Sequence, residues 1–255
     1  MQLDHLYIGY HQRGSVQRTV CADIQATLHV GQFVCLIGPN GVGKSTLMRT
    51  LSAFQQPLQG VISVDGKDLQ TYSAQQLARI ISVVLTSRVQ VANITVRELV
   101  GIGRSPYTNF WGTLKDDDAA IVDESLQQVG IPHLANRMIH TLSDGERQKA
   151  MIAKALAQKT PYIILDEPTA FLDYPSKVET LQMLRRLSHE HDKAILLSTH
   201  DVELALQLSD LLWLMTDGHL AVGTPRQMAD EGKLALFLNG KGIKFDADQL
   251  QIHVE

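Results

Sequence analysis

Cysteine is scarce, with two residues, Cys21 and Cys35, in a chain of 255. Two thiols can build neither a disulfide framework nor a four-ligand zinc site, so a reducing compartment is expected. Aromatic residues make up 5% of the chain. No apolar run approaches the roughly 20 residues that a membrane-spanning helix requires. The opening MQLDHLYIGYH lacks the pattern of a secretory leader. There is no basic block, and 23 Lys and Arg against 27 Asp and Glu give a net charge of −4, which argues against a nucleic-acid partner. Internal repeats and low-complexity tracts are also missing. What is present is ordinary for a globular chain: 44% hydrophobic and 20% charged residues. Such a chain buries roughly three quarters of its unfolded surface, enough for one core or a core with a lobe. The expectation is a soluble, cytoplasmic protein.

Strand-like runs alternate with helical patterns, which predicts an α/β fold with a mainly parallel sheet. Leu3–Tyr10 and Ala22–Val30 read as antiparallel strands. Phe33–Ile37 reads as a short buried strand that ends at a glycine-rich turn, with a helix running on through Leu47 and Leu51. Gly60–Val64, Ile81–Leu85, Tyr162–Leu165, Ala194–Leu197, Leu211–Met215 and Leu220–Val222 read as further strands. Strand signals vanish over residues 87–159, where Val96–Gly101 and Asp116–Val129 are helical. In the second of these, Ala119, Val122, Leu126 and Val129 mark the apolar face. The expected organisation is a discontinuous core, 1–86 and 160–240, with a helical insert at 87–159. Residues 241–255 form a tail that alternates weakly, like a small hairpin.

Gly38-Pro39-Asn40-Gly41-Val42-Gly43-Lys44-Ser45-Thr46 fits G-x-x-x-x-G-K-[ST] between a strand and a helix, the pattern of a phosphate-binding P-loop. Its glycines let successive N–H groups point inward and form an anion nest at a helix N-terminus. Lys44 supplies a point charge for the β- and γ-phosphates, and the Ser45 hydroxyl can ligate Mg²⁺. A chance glycine-rich turn is the bland alternative, and the strand–loop–helix setting disfavours it.

The apolar strand Tyr162–Leu165 ends in Asp166-Glu167-Pro168. Beside a P-loop, Asp166 fits the Mg²⁺ shell, and Glu167 can accept a proton from an attacking water or orient that water. A solvated turn closed by proline is the competing reading. His200 ends another apolar strand, where open α/β sheets place ligand contacts. The His189-Glu190-His191-Asp192 cluster has metal-ligand residue types but sits in a polar connection and reads as solvated.

Leu142-Ser143-Asp144-Gly145-Glu146-Arg147-Gln148 precedes a helix through Ala150–Ala157, with Ser143 and Glu146 spaced as a capping box. The P-loop, this run, Asp166-Glu167-Pro168, Phe171-Leu172-Asp173 and His200 stand in the order found in ATP-binding subunits of ABC transporters. The chain resembles that family over nearly its whole length. The resemblance implies a P-loop ATPase core with N-terminal antiparallel strands and an inserted helical subdomain. It implies that ATP and Mg²⁺ are bound, and that Tyr10 stacks on adenine. It also implies a head-to-tail homodimer in which Ser143 and Gly145 of one copy face the γ-phosphate held by Lys44 of the other, with Asp173 at the seam. Two transmembrane permease subunits would hold the pair at the cytoplasmic face of the membrane, with a substrate-binding protein acting indirectly.

Two positions depart from the family. Thr86, with Ser87 and Gln90 nearby, stands where the family has a glutamine joining metal and water to the helical lobe; its hydroxyl could still ligate Mg²⁺. Asp144 stands where glycine is usual, and its carboxylate is expected to turn away from ATP or to meet a cation across the interface. The run Thr95–Tyr107 resembles importers of iron–siderophore complexes, haem and vitamin B12. There Tyr107, Phe110 and Trp111 would contact a permease, or Trp111 would pack within the lobe. The rival readings are an ABC-type ATPase of other transport direction or of nucleic acid and ribosomes, which usually carries a second P-loop or a coiled coil, and a P-loop small-molecule kinase, which has no use for the Ser143 helix.

Overall fold

The computed structural model describes residues 1–11, 17–85, 93–108, 115–240 and 242–254. In chain order, β1 (Gln2–His11), β2 (Gln17–Thr27) and β3 (Phe33–Ile37) lead into α1 (Lys44–Leu51). Then come β4 (Gln59–Val64), β5 (Lys67–Asp68), α2 (Ala74–Leu77) and β6 (Ile81–Val84). Three helices follow: α3 (Val96–Ile102), α4 (Asp116–Gln128) and α5 (Asp144–Ala157). The chain returns through β7 (Tyr162–Leu165), α6 (Tyr174–Glu190), β8 (Ala194–Ser198), α7 (Val202–Leu208), β9 (Leu211–Thr216) and β10 (His219–Gly223). It ends with α8 (Pro225–Asp230), α9 (Lys233–Leu238) and a hairpin of β11 (Ile243–Asp246) and β12 (Gln251–Val254).

The central sheet has the order β10-β9-β3-β8-β7-β6, parallel except for the β9–β10 pair. Its inner strands are buried on both faces, which is why they read as continuous apolar runs rather than alternating ones. Alternation survives as a choice of core. Phe33, Cys35 and Ile37 join one apolar cluster with Ile163, Leu165, Ile195 and Leu197, under α3, α4, α5 and α6. Val34 and Leu36 face the other way with Ile164 and Leu196, toward α1 and the antiparallel sheet β2-β1-β4-β5. The period-two geometry of a strand thus divides one sequence run between two hydrophobic layers.

Between β6 and β7 the described residues form helices and turns, joined by a single bridge between Thr95 and Met138. Val122, Leu126 and Val129 are buried as the helical spacing predicts, each contributing roughly 1.5–3 kcal/mol of apolar burial. Ala119, however, is exposed, and its neighbour Asp118 is buried instead. The reason is Arg104, itself 5% exposed, whose Nε donates to Asp118 Oδ1 at 2.8 Å and whose Nη1 donates to the Ala157 carbonyl at 2.7 Å. Asp118 stands four residues before Val122, on the same buried face, and supplies the carboxylate partner that a buried guanidinium needs. The helices are tied back to the sheet by the Gln158 amide, which donates to the carbonyls of Ala78 and Ile81, and by Arg79, which donates to the Pro106 carbonyl.

Candidate functional site

The turn between β3 and α1 is built around close approach. Gly43, with φ 117°, is packed so tightly that a Cβ there would lie 2.1 Å from Val20 Cγ1. A Cβ at Gly38, with φ 151°, would lie 2.2 Å from the Met215 carbonyl oxygen. Both positions need glycine for space as well as for backbone angle. Helix α1 then starts with no side-chain cap and no acid in its first turn. Its N-terminal amides therefore have the partial positive charge of a helix start with no side chain to neutralise it.

Lys44 is buried and arches back over this turn, donating from Nζ to Gly38 O at 2.8 Å and to Pro39 O at 3.1 Å. Burial pulls its ammonium below the usual lysine range, while the charges of Glu167 and then Asp166 oppose that shift. Those two acids are thus close enough for Lys44 to sense. Tyr10, half exposed on β1, shares a 2.6 Å hydrogen bond with Thr46 of α1, which places its ring at the edge of the same turn.

Asp166 and Glu167 follow β7, in the gap between β6 and β8. Asp166 lines a cavity of 480 Å³ together with Ser45, Met48, Val83 and Ile164. The carboxylate of Glu167 reaches His200, whose Nε2 lies 2.6 Å from Oε1. An ionised carboxylate only accepts, so the imidazole N–H donates. Glu167 has φ 48°, a left-handed backbone at a non-glycine residue that also precedes a proline. Such strain persists only where the surroundings hold it. The structure therefore brings Lys44, Ser45, Asp166, Glu167 and His200 to one end of the parallel sheet, with Tyr10 and Thr46 at its margin.

Ser143 and Gly145 are arranged differently. Ser143 caps α5, accepting from the Glu146 amide at 3.2 Å, while the Glu146 carboxylate accepts from the Ser143 amide at 2.8 Å and its hydroxyl at 3.0 Å. These bonds hold the Glu146 carboxyl below the usual range, the Ser143 amide most of all. A Cβ on Gly145 would meet Ser176 Oγ at 3.8 Å and Leu172 Cδ2 at 3.9 Å, its neighbours among the described residues. The turn thus lies beside the start of α6, where Asp173 accepts from the Ser176 amide at 3.0 Å. The Ser176 hydroxyl and amide hold the Asp173 carboxyl low. Within the chain, Asp144 meets Arg147 of its own helix, Nη1 to Oδ1 at 3.0 Å. Thr86, Ser87, Gln90, Phe110 and Trp111 lie outside the described residues. Tyr107 is half-buried, with the guanidinium carbon of Arg104 4.0 Å and that of Arg79 4.9 Å from its ring centre.

Sequence reasoning missed two residues here. Ser198 is fully buried and bonds to both acid positions. Asp201 accepts from Lys177 Nζ at 2.8 Å and Thr169 Oγ1 at 3.1 Å, joining the turn after β8 to that after β7. The available signal was a hydroxyl closing an otherwise apolar strand two residues before His200.

A family model described as ABC transporter matches residues 21–170. An uncharacterized ABC transporter ATP-binding protein of Methanocaldococcus jannaschii is 39% identical over 229 residues, 89% of this chain and 77% of its own. The ferric enterobactin transport ATP-binding protein of Escherichia coli K12 is 36% identical over 211 residues, 82% of this chain and 78% of its own. Among solved structures, cbiO1 from Clostridium perfringens, part of the ABC transporter complex cbiONQ, is similar with a TM-score of 0.79 at 27% identity. That match covers 92% of each chain.

Proposed function

The chain belongs to the ABC transporter family and is an ATPase of that family, and we propose that it is the energy-coupling subunit of an importer, working as a head-to-tail homodimer. One observation carries the reading. The loop, lysine and acids that suit a triphosphate converge at one end of the sheet, whereas Ser143 and Gly145, also needed for a complete site, pack beside α6 instead. A second copy would bring its Ser143 turn to the γ-phosphate of the first.

The N-terminal amides of α1 and Lys44 would bind the β- and γ-phosphates, with Tyr10 beside the base. Glu167, fixed by His200, would orient the attacking water and take its proton. Because the imidazole N–H occupies Oε1, the glutamate keeps a set direction as charge builds on the phosphoryl group. Mg²⁺ fits the oxygen donors here. Ser45 and Asp166 line one cavity, and among the described residues no group of three His, Cys, Asp or Glu offers an all-protein cage. A cation held by that hydroxyl and carboxylate would neutralise charge developing on the phosphates.

No described helix is long and apolar enough to cross a membrane, so attachment would come through two permease subunits at the cytoplasmic face. The solute class we assign is iron–siderophore complexes, haem or cobalamin. It is supported by the run Thr95–Tyr107 and by the Escherichia coli relative named for ferric enterobactin transport. The ATPase test is Glu167→Gln, which should keep ATP bound while steady hydrolysis stops. Undiminished turnover in that variant would assign the water to another group. Co-purification from membranes with a permease of that solute class tests the transport assignment.

A further inference from the structure

We infer that Ser198 is a positioning residue which fixes Asp166 and Glu167 relative to one another, and through Asp166 sets the grip on a divalent cation. The inference rests on the ATPase reading above.

Strand register puts the hydroxyl in place. Strands β7 and β8 run parallel with Leu165 beside Leu197, so Ser198 stands one step on, next to the first acid. It has no solvent exposure. Its Oγ accepts from the Glu167 amide at 2.9 Å and lies 2.7 Å from Asp166 Oδ1. A serine hydroxyl carries a single hydrogen. With the amide donating to it, that hydrogen goes to the aspartate, so the polarity of the chain is fixed: Glu167 N–H to Ser198 O–H to Asp166 carboxylate. One oxygen of Asp166 is thereby given a set direction, on a carboxylate that lines the same cavity as Ser45. The same hydroxyl holds the amide of Glu167 at φ 48°, a backbone that the following proline does not favour. One buried side chain therefore fixes the rotamer of the acid that would meet the metal and the backbone of the acid that would meet the water.

A merely structural serine would cost stability when removed and leave the metal alone. Partners that orient a metal ligand instead change metal affinity or activity, by about 10–100-fold. The test uses the full chain with ATP, titrated with Mn²⁺ and followed by electron paramagnetic resonance, alongside steady-state hydrolysis. Ser198→Ala should weaken Mn²⁺ binding about tenfold or more and lower kcat by a similar factor, with KM for ATP little changed. Ser198→Cys keeps the side-chain shape but offers only a weak S–H donor, so it should behave as Ser198→Ala does, and it carries the test if the alanine variant does not fold. Mn²⁺ binding as tight as in the unsubstituted protein, in either folded variant, overturns the inference. Failure of the unsubstituted protein to bind Mn²⁺ with ATP would instead overturn the ATPase reading.

Discussion

Two helix starts in this molecule could each meet a phosphate, and they are built in opposite ways. Helix α1 opens on Gly43 with no side-chain cap and no acid in its first turn. Helix α5 opens on Ser143 with a complete capping box and both Asp144 and Glu146 in its first turn. The first leaves its amides and the helix dipole for a ligand; the second has its Ser143 and Glu146 amides paired within the chain and two acids in its first turn. Under the proposed function, tight phosphate binding falls to α1, and α5 of a second copy would close as a preformed surface over the nucleotide held there. That division is what a site shared between two copies requires.

The comparison is most easily broken at Lys44. Lys44→Ala should lower ATP hydrolysis at least a hundredfold, measured as phosphate release, because the charge facing the phosphates is lost. Little change would mean that α1 does not hold the nucleotide. A second substitution acts on the α5 side through the buried pair beneath it. Asp118→Ala leaves Arg104 buried without its carboxylate and should cost about 3–5 kcal/mol in denaturant unfolding. The α1 side should keep its ATP affinity in any variant molecules that remain folded.

Acid should separate the two regions further. The Lys115 amide, and after it Arg104, hold the Asp118 carboxyl below its usual range, and Glu146 is held low by Ser143. For depressed carboxyls the stabilisation is complete above the unfolded value, near 4, and is lost as pH falls through the lower folded values. Hydrogen exchange should therefore show α4 and α5 opening before the sheet strands once pH drops below about 4. Simultaneous opening would contradict this. Ser143→Ala is the mildest change: it should cost about 1 kcal/mol as a lost cap while leaving ATP binding by a single chain unchanged. A fall in single-chain affinity would place Ser143 at its own nucleotide after all.

The fold and the α1 side of the site were largely legible in the sequence, because short-range rules govern them. Apolar runs buried on both faces announce parallel strands, and the glycines, Lys44 and Ser45 are contiguous. Tyr162–Leu165 is a strand as read, and Asp166, Glu167 and His200 fall at strand ends where the chain must turn. Less legible were the features fixed by partners distant in sequence. Asp118 rather than Ala119 is buried on α4, and the partner that lets it be, Arg104, lies fourteen residues earlier. Ser198 meets Asp166 across 32 residues, and Asp201 meets Lys177 across 24, and neither pairing has a local signature. For Asp144 the expectation was a carboxylate turned away from ATP or meeting a cation across the interface; within the chain it meets Arg147, one turn along its own helix.

The shared site itself is tested most directly by mass. In the Glu167→Gln background, which should retain ATP, light scattering after size exclusion should show ATP doubling the particle mass, and adding Ser143→Arg should abolish that doubling. A Glu167→Gln protein that holds ATP yet stays at the mass of one chain, or a doubling that survives Ser143→Arg, would contradict the account.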